Sequence, residues 1–131
     1  MEAQSEEDYL RIIYLLHEEH KKPEEGVRSV DVAKALGISK PSVSAMVRKL
    51  ADKGYVTAER YGALFLTKEG LKEGKRITRS YRIIRVFLRD VLMIKNTSVD
   101  EEAHRLEHAF SDESLKKIEQ LVRRLSKEGR L

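Results

Sequence analysis

His104, Glu107 and His108 stand at i, i+3 and i+4 in a segment that reads as helix. Side chains at those spacings share one helix face. Two imidazoles and a carboxylate on one face offer nitrogen and oxygen donors suited to a divalent transition metal. Such donors bind only when deprotonated, so affinity for a metal should fall as pH drops. The same residues spell H-x-x-E-H, the pattern of inverted zinc proteases, in which the glutamate activates a metal-bound water. A charged helix also produces such a trio on a solvated face. A second pair, His17 and His20 beside Glu18 and Glu19, reads as solvated surface.

A different chemistry is written into residues 29–67. Ala33 is small, where two helices approach closely. Gly37 follows four residues later, where the turn favours positive φ. Val43 follows six further on, where a second helix packs back on the first. The spacing Ala-x3-Gly-x5-Val fits a helix-turn-helix. Val43, Met46, Val47 and Leu50 form the inward face of the second helix. Its open face carries the candidate DNA contacts Ser39, Lys40, Pro41, Ser42, Ser44, Arg48 and Lys49. Short polar residues at the N-terminal end allow close approach to the major groove. Arg48 and Lys49 suit phosphates.

The elements around these residues are legible from caps and turns. Ser5 with Asp8 opens an amphipathic helix, read as Asp8 to Glu19, with Leu10, Ile13, Tyr14 and Leu16 on its apolar face. Lys21 to Gly26 reads as a loop. Ser29 caps a short helix that Gly37 stops. Ser39, with Pro41 in the first turn, opens a helix that Gly54 ends. Two strand-like runs follow, Tyr55 to Arg60 and Ala63 to Thr67, with Tyr61 and Gly62 as a tight turn. This hairpin converts the helix-turn-helix to the winged form, and Arg60 joins the candidate DNA contacts, with Tyr61 beside it. Thr67 caps a long helix to about Leu92, whose Ile77, Ile84, Phe87, Leu88 and Val91 suit either a dimer interface or intrachain core. Lys95 to Thr97 is a linker. Ser98 with Glu101 makes a capping box for a helix through Phe110, and Ser111 caps a last helix to about Ser126. The fold class is mainly α with a small β-hairpin wing. A winged helix-turn-helix domain spans residues 1–72. A helical dimerisation and metal-binding domain spans 73–131.

Charge distribution sharpens the reading. The net charge of +4 conceals blocks: residues 1–20 carry one base against six acids, and 21–95 eighteen bases against eight acids. Residues 96–113 again carry one base against six acids, and 114–131 six bases against two acids. A basic middle points to a polyanion such as double-stranded DNA. One small domain has little reach along DNA, so a homodimer on a palindromic operator is expected. The acidic blocks contain Asp8 and the His104–His108 trio. If their helices pack together, Asp8 completes a four-ligand set, and a divalent cation offsets the repulsion between them. With no cysteine, disulfides and thiolate sites are excluded. No apolar run approaches a bilayer span, and residues 1–8 lack the apolar stretch of a signal peptide. A cytoplasmic protein, neither enzyme nor membrane protein, is the expectation.

The chain resembles the diphtheria toxin repressor and manganese transport regulator family of metal-dependent repressors over nearly its whole length. The resemblance rests on Glu7-Asp8-Tyr9-Leu10, on Ser39 to Leu50 and on Thr67-Lys68-Glu69-Gly70. It rests further on Ala103-His104-Arg105-Leu106-Glu107-His108 with Ser111-Asp112-Glu113. It implies a metal site of Asp8, His104, Glu107 and His108, with the metal as co-repressor controlling metal-homeostasis genes. It also implies the short branch, without an added C-terminal domain. Position 104 is cysteine or glutamate in the familiar branches and histidine here. Arg11 stands where the manganese branch has a glutamate. Tyr81 and Arg85 match positions at which the family has a histidine and a carboxylate, which removes ligands from a second, neighbouring site. Mn²⁺ or Fe²⁺ lead as cofactor, with Co²⁺, Ni²⁺ and Zn²⁺ also suited to imidazole and carboxylate donors. Three other readings stand beside this one. They are a winged-helix regulator answering a small molecule or partner without metal, a nonspecific architectural DNA binder, and the H-x-x-E-H protease.

Overall fold

The computed structural model describes residues 5–95 and 98–131. The element order is α1 (Glu6–Glu19), a 3-10 turn (Pro23–Glu25), β1 (Val27–Arg28), α2 (Ser29–Leu36), α3 (Lys40–Asp52) and β2 (Ala63–Leu64). Then come α4 (Lys68–Val86), a π-helical turn (Phe87–Val91), α5 (Val99–Ala109) and α6 (Asp112–Lys127). The chain divides into two compact units, Met1–Thr78 and Arg79–Leu131. That division and the expected one after residue 72 both fall within α4. Positions 96 and 97 of the expected linker lie outside the described residues. Among the described residues, no helix is long and apolar enough to cross a membrane.

In the first unit, local capping starts the helices where the sequence indicates. Ser5 accepts from the Asp8 backbone N–H at 3.2 Å, and its own N–H donates to Asp8 Oδ2 at 3.1 Å. This capping box starts α1 at Glu6. Ser39 Oγ accepts from the Ser42 N–H at 3.3 Å and starts α3. Gly37 (φ 66°) ends α2 in the left-handed region. Ser29 departs from expectation. It is the first helical residue of α2, fully buried, and Arg28 occupies the cap position without a side-chain bond. The Ser29 N–H is taken by the Gly62 carbonyl at 2.9 Å, so tertiary pairing replaces the cap.

The core joins Tyr9 and Ile13 of α1, Val32 of α2, Val43, Val47 and Leu50 of α3, and Val27, Val56 and Leu64. Burial pushes the Tyr9 phenol pKa above its usual value. Glu6 ion-pairs with Lys53 and, by hydrogen bond and charge, raises the lysine's pKa. His20 is half-buried, and its Nδ1 accepts from the Lys22 N–H at 3.0 Å.

The wing differs from the expected hairpin. The regular antiparallel pairing joins β2 to β1, with Val27 opposite Leu64 and Arg28 opposite Ala63. Residues 55–60 form no named strand with the other arm and meet it through isolated bridges, Val56 to Leu66 and Arg60 to Ala63, and through single bonds such as Thr57 N–H to the Phe65 carbonyl at 2.8 Å. The physical cause lies at Thr57. Its hydroxyl accepts from the Phe65 N–H at 3.0 Å, displacing the backbone acceptor that a ladder would use. The turn itself is as expected. Tyr61 (φ 52°) and Gly62 (φ 76°) both have positive φ, the signature of a type I′ turn. Tyr61 adopts this conformation at a cost that asparagine largely avoids. Tyr61→Asn is therefore expected to raise the unfolding free energy by about 0.5–1 kcal/mol in urea titration.

Thr67 starts α4, accepting from the Gly70 N–H at 3.0 Å and donating to the Gly54 carbonyl at 2.5 Å. Two glycines of α4 pack tightly within this unit. A Cβ at Gly70 would lie 1.9 Å from the Tyr55 carbonyl oxygen, and one at Gly74 would lie 2.8 Å from Tyr14 Cβ.

In the second unit, the helical run expected to reach Leu92 loosens after Val86 into the π-helical turn. Ile84, Leu88, Val99 and Ala103 form its core, with Tyr81, Phe87, Ile94, Leu106, Phe110 and Leu115 packed around them. Of the residues read as either interface or core, Ile77, Ile84 and Leu88 are buried and Phe87 and Val91 are half-buried. The capping box expected at Ser98 does not form. Ser98 sits in the helical region (φ −85°, ψ −1°), whereas an N-cap needs extended backbone. Ser111 does cap α6, accepting from the Ser114 N–H at 3.1 Å.

Candidate metal centre and nucleic-acid interface

α3 is the exposed basic helix of the first unit. Ser39, Lys40, Pro41, Ser42, Arg48 and Lys49 are exposed, while Val43, Val47 and Leu50 turn inward. Ser39 and Ser42 also share a 2.9 Å hydrogen bond, so the start of the helix is fixed by its own hydroxyls. Ser44 is half-buried on the flank, and its hydroxyl donates to Glu59 Oε2 at 3.3 Å. Arg60 and Tyr61 are exposed at the wing, Tyr61 almost completely at 96%. Sequence reasoning missed Arg28. It is exposed on β1 beside the Tyr61–Gly62 turn, its guanidinium 3.6 Å from where a Cβ on Gly62 would sit. No local signal marks it, because its place follows from pairing with Ala63 far along the chain.

α5 brings His104, Glu107 and His108 onto adjoining positions of one helix. Val99, Ala103 and Glu107 recur every four residues and are all buried, so a carboxylate continues an otherwise apolar stripe. Placing a carboxylate out of water is costly unless charge or hydrogen bonds compensate it. His104 is half-buried and His108 exposed, with ring centroids 5.0 Å apart and planes nearly perpendicular. Two imidazoles and a buried carboxylate on successive turns are a donor set that fits a divalent transition metal.

Asp8 belongs to the first unit. It is buried, is the third residue of α1, and closes the capping box through Oδ2. Arg11 lies one turn on, its guanidinium 4.0 Å from Asp8 Oδ1.

Residues 1–64 match the family described as iron dependent repressor, N-terminal DNA binding domain. Residues 67–129 match its metal binding and dimerisation domain. The chain belongs to the iron dependent repressor family. Within this family of metal-dependent transcriptional repressors it is 39% identical over 116 residues to an uncharacterized HTH-type transcriptional regulator of Methanocaldococcus jannaschii. That alignment covers 88% of this chain and 90% of the relative. The HTH-type transcriptional regulator MntR of Bacillus subtilis is 34% identical over 122 residues, covering 93% of this chain and 82% of MntR. Among solved structures, that of the manganese regulator SloR superposes with a TM-score of 0.77 at 32% identity. It covers 93% of this chain, which spans 55% of the SloR chain, about half its length.

Tyr81 and Arg85, read from the sequence as departures from the resembled family, both lie in the second unit. Tyr81 packs against the Ile84, Leu88, Val99 and Ala103 cluster. Arg85 is ion-paired, its Nε 2.7 Å from Asp100 Oδ1. Arg85 is thus a cation already engaged with a carboxylate of α5.

Proposed function

We propose that this family member is a homodimeric repressor whose affinity for a palindromic operator depends on a divalent transition metal. Asp8, His104, Glu107 and His108 are its ligands. The observation that carries the reading is the buried Glu107 carboxylate, flanked by two imidazoles, inside a match to a metal-binding and dimerisation domain. Mn²⁺ or Fe²⁺ are the favoured occupants, on donor chemistry and on the naming of SloR as a manganese regulator. Co²⁺, Ni²⁺ and Zn²⁺ suit the same donors. The bound cation supplies positive charge that lets carboxylates and imidazoles from two acidic segments share one site. Tyr81 and Arg85 favour a single metal site per chain, because each stands where the resemblance implies a ligand, and Arg85 adds a positive charge. The division of labour follows the expected domains, residues 1–72 for DNA and 73–131 for dimerisation and metal binding, with Asp8 added to the ligand set from the first.

The DNA contacts are assigned to Ser39, Lys40, Pro41, Ser42, Ser44, Arg48, Lys49 and Arg60. The exposure of the four cations supports the phosphate-binding part of that set. In a dimer they supply eight phosphate contacts, so log K should fall with log salt with a slope of about −7. The regulatory requirement is thermodynamic: the metal-binding residues must favour the DNA-competent state over the other.

Fluorescence anisotropy on an operator fragment tests the reading. EDTA is expected to abolish tight binding, and one of the five metals is expected to restore it. Tight binding indifferent to EDTA would support a regulator without metal. Peptide hydrolysis lost in Glu107→Gln would point instead to the protease pattern.

A further inference from the structure

The hydrogen bond between Ser44 and Glu59 links the flank of α3 to the wing, across fifteen residues of sequence. A hydroxyl has one proton to donate and two lone pairs. An ionised carboxylate only accepts, so the single Ser44 proton goes to Glu59. What Ser44 Oγ can offer a further partner is then acceptor capacity alone. Phosphate oxygens are also acceptors, so Ser44 in this arrangement has nothing to give the DNA backbone. In the major groove the groups that donate are the adenine N6 and cytosine N4 amines.

We infer that Glu59 is a specificity-determining residue. It turns Ser44 into a hydrogen-bond acceptor and biases the base that Ser44 meets toward adenine or cytosine. The inference rests on the reading that α3 enters the major groove, and it changes the role of Ser44 from a general polar contact to a reader of base edges. Glu59 stands on the arm of the wing that precedes the Tyr61–Gly62 turn, and its side chain reaches Ser44 of α3. A carboxylate so near the recognition helix repels phosphates, which a device for affinity alone would avoid. Its presence fits a device for discrimination.

The test is selection from base-randomised operator fragments by the full chain with Mn²⁺ added. The proteins compared are the unsubstituted chain, Ser44→Ala, Glu59→Ala and Glu59→Gln. The unsubstituted chain should prefer adenine or cytosine at one symmetry-related pair of positions by about two- to tenfold, the worth of one hydrogen bond. Ser44→Ala and Glu59→Ala should each flatten that pair and leave all other positions unchanged. Glu59→Ala should also bind as tightly as before or tighter. Glu59→Gln keeps the shape but can donate to Ser44 as well as accept from it, so the preference should weaken toward all four bases. If Glu59→Ala and Glu59→Gln keep every preference of the unsubstituted chain, the inference is overturned and the DNA-binding reading survives. If no sequence is selected by any of the four with Mn²⁺, Fe²⁺, Co²⁺, Ni²⁺ or Zn²⁺ added in turn, both are overturned.

Discussion

Glu107→Gln is expected to leave operator affinity at the level of the EDTA-treated unsubstituted chain, whatever metal is added. Coupling between an effector and a second ligand typically spans about 5–150-fold, and the whole of that factor should vanish. Glu107 is only 8% exposed, on the stripe that Val99 and Ala103 continue. Glutamine has nearly the same shape but no charge, so it keeps the packing and removes the anionic donor. His108→Ala should have the same effect with less disturbance to folding, because His108 is exposed. Asp8 demands a different substitution. Asp8→Ala would remove the acceptor of the Ser5 N–H as well as a proposed ligand, and one such hydrogen bond is worth about 0.5–1.5 kcal/mol. Asp8→Asn keeps an oxygen for the Ser5 N–H, so it separates the two roles. Anisotropy against metal concentration, with circular dichroism as the folding check, reads all three. A Glu107→Gln protein that still gains affinity on metal addition would remove Glu107 from the ligand set.

Gly70→Ala is expected to lower the unfolding free energy by about 3 kcal/mol, with a fall in Tm on the order of 10 °C. Inside a helix the same substitution ordinarily stabilises by about 1 kcal/mol. Here the new Cβ would lie 1.9 Å from the Tyr55 carbonyl oxygen. That carbonyl accepts from the Thr67 N–H at 3.0 Å, so it cannot move without breaking the junction that starts α4. Gly37→Ala provides the comparison. Nothing lies within 4 Å of a Cβ there, and only its positive φ resists, at about 1–2 kcal/mol. Thermal unfolding of the two variants side by side distinguishes steric exclusion from backbone strain. Equal losses would show that the α4 junction yields.

Much of the chemistry was legible because it is local. The spacing of His104, Glu107 and His108 places them on one helix face whatever the rest of the chain does. Ser5, Ser39 and Ser111 cap their helices through bonds to residues three positions on, and Tyr61-Gly62 forms its turn from its own φ angles. Ser98 shows the limit of such reading. It has the right residue type three positions before a glutamate, but backbone arriving in the helical region cannot present its hydroxyl as a cap. What only the tertiary structure decided depends on residues far apart in sequence. β1 pairs with β2 across the whole helix-turn-helix, which takes the Ser29 N–H and brings Arg28 beside the wing. Ser44 meets Glu59, Arg85 meets Asp100, and Gly70 meets the Tyr55 carbonyl. Periodicity and caps describe how each segment bonds to itself within about one helical turn. They carry no information on which distant group will fill a given face. The shared helix face of His104, Glu107 and His108 was therefore written in the sequence by itself, whereas the partners of Ser44 and Arg85 became visible only when the chain folded.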